Sequence, residues 1–134
     1  MKKKQFFLML LGGLFLASCN NSKTKSSANI HEDPVKVVET VFDVAKSGNF
    51  SLLTDLCDPT GAGDGDTKRI CALSSQSKEI QDDFRQTFEK GKVTGAAEIS
   101  GDEAKVNIRF GPGGNEEETF KLVRVAGKWY LSGI

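Results

Sequence analysis

The chain has 134 residues, 38% of them hydrophobic, with 18 basic and 18 acidic side chains and a formal net charge of +0. Such a length accommodates one domain of roughly a hundred residues once an N-terminal signal is set aside, and a core of that size needs no metal to hold it. Three of the basic residues, Lys2, Lys3 and Lys4, leave with that signal, so 15 face 18 acidic ones; no basic stripe remains, which argues against nucleic acid as a partner.

Residues 1–18 read as an export signal. Lys2-Lys3-Lys4 is a positive start, and the apolar run from Phe6 to Leu16, broken only by Gly12 and Gly13, ends in small residues. That run is about eleven residues long, short of the roughly twenty that a permanent membrane-spanning helix requires. Leu16-Ala17-Ser18-Cys19 resembles the lipobox of bacterial lipoproteins. The resemblance implies cleavage before Cys19 and attachment of lipid to its sulfur, chemistry that needs the nucleophilic thiolate of cysteine and not a serine hydroxyl. Two or more fatty acyl chains, of palmitate type, then make the anchor firm, because one chain binds a bilayer only marginally. Asn20 and Asn21 follow Cys19; in lipoproteins of the enteric type the lack of Asp there implies delivery to the outer membrane, facing the periplasm. The lipid-bearing Cys19 and the Ser-, Asn- and Lys-rich stretch after it make residues 19–33 a solvated tether.

The folded domain is expected over residues 34–134. Asp33-Pro34 has the form of an N-cap followed by proline at the first helical position, and Val35, Val38, Val41, Phe42 and Ala45 recur at helical spacing until Gly48. A second short helical segment over Phe50 to Leu56 offers Phe50, Leu53 and Leu56 to the same core before Asp58-Pro59 breaks it, and Asp58 to Asp66 is a loop. Ile80, Phe84 and Phe88 lie four apart on one face of a third helix, from about Lys78 to Lys90, which Gly91 stops.

Beyond Gly91 the period changes to that of strands. Val93 to Ile99, Ala104 to Phe110, Glu117 to Ala126 and Lys128 to Ser132 predict four antiparallel strands joined by glycine turns. Val106, Ile108 and Phe110 alternate with polar residues, so their strand has one wet face; Phe120 and Leu122 against Val123 and Val125 imply burial on both faces or a bulge that switches them. Helices first and a strand meander afterwards predict an α+β domain, with the helices packed on a curved antiparallel sheet of about four strands. An oxidising compartment favours a disulfide between Cys57 and Cys71, two buried thiols being the alternative; thirteen residues between them make neither a redox nor a zinc motif.

This order of elements, the turn Ser47-Gly48-Asn49-Phe50, and the closing Phe120-Lys121-Leu122-Val123 and Gly127-Lys128-Trp129-Tyr130-Leu131 resemble the nuclear transport factor two-like, cystatin-like superfamily, and most closely its small bacterial lipoproteins. The resemblance covers most of residues 34–134. It implies a bent sheet wrapped around a helix into a cone, lined here by Phe42, Phe84, Phe88, Trp129 and Tyr130, and serving as an active site, a small-ligand pocket or a filled core.

Enzymes of that superfamily, of isomerase and dehydratase type, use carboxylates, histidines and tyrosines inside the cone. The one histidine, His31, falls in the tether, so no Ser/His/Asp or Cys/His set is expected within the domain. Tyr130, the one tyrosine, is expected to be structural. Asp58, Asp64 and Asp66 lie in a glycine-rich loop but do not meet the calcium-loop pattern, Lys68 and Arg69 standing where oxygens would be wanted; turn and capping roles are expected. Gly111 to Asn115 joins two strands as a hairpin loop, and Glu116, Glu117 and Glu118 form a solvated edge. No catalytic residue, metal or cofactor is expected. The sequence therefore points to a lipid-anchored envelope protein that binds a small apolar ligand or another envelope protein. Its alternative is an isomerase- or dehydratase-type enzyme using a buried carboxylate, with Asp43, Asp55 and Glu98 as first candidates.

Overall fold

A computed structural model describes residues 30–134, and the signal, Cys19 and the tether up to residue 29 lie outside them. The first helix, α1, runs over Pro34–Ser47 as its local signals require. The Asp33 carboxylate accepts from the Val35 N–H at 2.9 Å, and Gly48 closes the helix in the left-handed conformation, φ 78, with its N–H on the Val44 carbonyl. Val37, Val38, Val41, Phe42, Val44 and Ala45 are all buried, a wider stripe than one sheet would cover. α1 packs on the sheet and also touches the 3-10 segment Phe50–Leu56, which contributes Leu53 and Leu56 to the core.

A short helix, α2, over Gly65–Cys71 begins inside the stretch expected to be loop. Asp64 is its cap, accepting from the Thr67 N–H at 2.8 Å. A 3-10 turn at Leu73–Ser75 leads to α3, Lys78–Phe88, capped by Ser77. α3 ends two residues before the expected Lys90, and Ile80, expected on its buried face, is 48% exposed. The aromatic cluster reaches Phe84 and Phe88, and among the described residues the first turn of the stripe stays half exposed.

The sheet has five strands where about four were expected: β1 (Lys92–Val93), β2 (Glu98–Ser100), β3 (Glu103–Phe110), β4 (Glu116–Val125) and β5 (Lys128–Gly133), all antiparallel, in the order β1-β3-β4-β5 with β2 also on β3. The expected single strand Val93 to Ile99 is two. Val93 pairs with Ile108 and Glu98 with Lys105, so four residues stand opposite two, and Gly95, φ 95, turns the excess outward. β3 alternates as expected, with Ala104, Val106 and Ile108 buried and Lys105, Asn107 and Arg109 on the wet face. The bulge expected to switch the faces of β4 is not found; the register shift between β4 and β5, with Lys121 opposite Gly133 and Leu122 opposite Leu131, lies on the partner strand. The extra residue is Ser132 on β5, so Phe120 and Leu122 keep the buried parity of β4.

The free edge of β5 is covered by the segment leading to α2. The Asp58 N–H donates to Leu131 O at 3.1 Å and the Asp64 N–H to Ser132 O at 3.0 Å. Cys57 and Cys71 stand as a disulfide pair with Cα atoms 6.1 Å apart, tying that segment to the last turn of α2.

Candidate functional site

The side chains expected to line a cone are not gathered around a hollow. Phe42, Phe84, Phe88 and Trp129 are each at most 7% exposed and lie in one core cluster with the inward residues of the sheet. Phe88 is its hub, with ring centroids 4.9 Å from Phe84, 5.4 Å from Phe110, 6.3 Å from Phe120 and 6.4 Å from Phe42. Burying a phenylalanine is worth about 1.5–3 kcal/mol, so this packing is a principal source of stability. Tyr130 does not join it: it alternates with Trp129 along β5 and therefore faces the opposite side of the sheet.

His31 corrects the expected limit of the tether. It is only 8% exposed, and its Nδ1 lies 2.8 Å from the Trp129 carbonyl while the Trp129 N–H donates to the His31 carbonyl at 2.8 Å. A carbonyl only accepts, so Nδ1 carries the hydrogen. The His31 ring packs on Tyr130 with centroids 4.6 Å apart. Ile30 and His31 thus belong to the folded domain, Ile30 packing against the core cluster and His31 bonding the backbone of β5 with its ring on Tyr130. Histidine, tyrosine and carboxylate do meet after all, since His31, Asp55, Asp58, Lys128 and Tyr130 share an open depression of about 460 Å3. Spacing along the chain could not show this, because 98 residues separate His31 from Trp129.

A second concavity is larger and apolar. Between α2 with its following 3-10 turn and α3, an open groove of about 850 Å3 runs to the end of the sheet. Ile70, Leu73, Phe84 and Phe88 form its floor, Ile80 stands on one wall, and Phe110 and Ile134 close it against the sheet. Asp66, Arg69, Asp83 and Glu118 mark its rim. Of the expected lining residues, Phe84 and Phe88 reach this groove, while Phe42, Trp129 and Tyr130 do not.

The acidic run at Glu116–Glu118 is split by the pleat. Glu117 faces outward and pairs with Arg109 at 3.3 Å, whereas Glu118 lies opposite the buried Ile108, on the inward parity of β4, and overhangs the groove. Asp43, Asp55 and Glu98 are exposed, so none supplies an inward-facing carboxylate. Asp58 and Asp64 have the turn and capping roles expected of them: Asp58 accepts from the Thr60 N–H at 2.8 Å, and Asp64 also receives the Ile134 N–H at 3.2 Å. Asp66 lies 3.7 Å from Arg69 one helical turn on. Partial burial, the largest single influence on Asp64, raises its carboxyl. Hydrogen bonds from the Thr67 and Ile134 N–H groups, with the Lys121 charge nearby, outweigh it and hold the carboxyl below its ordinary value of 3.8.

Among the described residues, no group of three or more His, Cys, Asp or Glu could hold a metal ion, and no helix is long and apolar enough to cross a membrane. Fold and groove together define a mixed α+β protein with an open antiparallel sheet and an apolar groove rimmed by charge. No protein family, curated protein or solved structure matches the chain.

Proposed function

We propose that this chain is a lipid-anchored cell-envelope protein, held at the outer membrane through Cys19, whose domain is a non-enzymatic module binding a small apolar ligand. The groove beside α3 carries this reading. Its volume of about 850 Å3 falls within the usual range for ligand sites, its floor is apolar, and Ile80 remains exposed in it. The fold is read as a variant of the nuclear transport factor two-like, cystatin-like cone, with the cone interior filled by aromatic rings and binding moved to its mouth. The anchor rests on the charged start, the short apolar run and Leu16-Ala17-Ser18-Cys19. The isomerase or dehydratase alternative wants an inward carboxylate, and its three candidates stand exposed.

Two measurements test the two halves of this reading. Intact-mass analysis of protein recovered from cell envelopes is expected to give a polypeptide beginning at Cys19 and heavier by acyl groups; an unmodified chain refutes the anchor. A long-chain alcohol bearing a photoreactive diazirine is expected to label the α2 and α3 peptides of the anchored protein, and Ile80→Glu to remove that labelling. Labelling confined to other surfaces, or unaffected by the substitution, refutes the groove.

A further inference from the structure

We infer that the groove selects a cationic amphiphile, an apolar chain ending in an ammonium or guanidinium group; this rests on the groove being the binding site. The floor supplies the apolar half of the recognition. The charged half comes from a rim whose acids are not all spoken for. Asp66 has Arg69 beside it at 3.7 Å, so that end of the rim is neutralised. Asp83 and Glu118 have no ion-pair partner among the described residues. Both are exposed at the mouth of the groove.

Glu118 is the more telling of the two. It occupies an inward parity of β4 that continues through Phe120 and Leu122, and its cross-strand neighbour is Ile108, which is 1% exposed. An inward position next to a buried isoleucine ordinarily takes an apolar side chain; the Glu118 carboxylate instead stays exposed and accepts the Thr119 N–H at 3.0 Å, a bond that leaves its charge uncompensated. Asp83 faces the groove from α3, and its carboxylate caps nothing: the Thr87 hydroxyl donates to the Asp83 backbone carbonyl instead. Two carboxylates with no counter-charge among the described residues, beside an apolar floor, complement a positive head on a greasy body. They repel a fatty acid, whose carboxylate would sit among like charges.

The test uses the full-length anchored protein in phosphatidylcholine nanodiscs and three diazirine-bearing C12 probes: an alkylamine, an alkyl alcohol and an alkyl carboxylate. Yield on the α2 and α3 peptides is read by mass spectrometry. The amine is expected to half-saturate at about tenfold lower concentration than the carboxylate at low salt, and the gap should narrow as salt is raised. Asp83→Asn with Glu118→Gln is expected to remove the gap. Glu117→Gln, on the opposite face of the sheet, should preserve it. Equal labelling by all three probes overturns the charge selection and leaves the groove standing, as does a preference abolished equally by Glu117→Gln. Absence of labelling by every probe overturns the groove itself.

Discussion

Gly91 follows the last turn of α3 and has the look of a helix stop, but its neighbours give it a second role. A Cβ at this position would collide with the Phe42 ring and with the Phe88 carbonyl. Phe42 is 3% exposed and has no free space to yield into, so Gly91→Ala is expected to lower stability by about 1–3 kcal/mol, read as a lower urea midpoint with unchanged slope. Asp64 acts through charge. Its carboxyl is held below 3.8 in the folded chain, so its contribution is complete above that value and fades as pH falls through the depressed one. Asp64→Ala is expected to cost about 1 kcal/mol at neutral pH, the loss of a helix cap. The gap between variant and parent should close as unfolding is followed below pH 4; a gap that widened in acid would contradict this. A turn or capping role for Asp64 was legible from its place in a glycine-rich loop. Its bond to Ile134, seventy residues on, was not.

At the scale of elements, α1 was legible because an N-cap, a proline at the first position, a helical apolar stripe and a C-terminal glycine all agree. α2 escaped notice because seven residues are too few to show a period, and a helix so short is not stable alone. It is held by the Asp64 cap, by burial of Ile70 and Cys71, and by the link to Cys57. Replacing both cysteines by serine is therefore expected to lower stability by about 3 kcal/mol, as loop closure of this length implies. Amide exchange should rise first over residues 57–71 and along the β5 edge that they cover. Equal protection with and without the disulfide would show that the segment holds that edge unaided. The broken edge strand was missed for a related reason: Thr94 to Ala97 carries no polar–apolar alternation to register a bulge.

For the whole molecule, the folded unit includes residues ahead of its first helix. His31 exchanges two hydrogen bonds with Trp129, both 2.8 Å, and covers Tyr130. A chain starting at Pro34 is expected to be less stable than one starting at Ile30 by about 2 kcal/mol, at roughly 1 kcal/mol per bond, measured by urea unfolding. Identical midpoints would return His31 to the tether. By itself the sequence determined the α+β order of elements, the first helix and its caps, and the wet and dry faces of β3, while for Cys57 and Cys71 it left a disulfide and two buried thiols both open. The determined features depend on periods and caps that neighbouring residues encode. Only the tertiary structure decided that the aromatic rings fill the interior, that Ile80 and Glu118 are left at a groove, and that His31 closes over β5. Each of these depends on which distant surface arrives to cover a side chain, and local pattern carries no record of that.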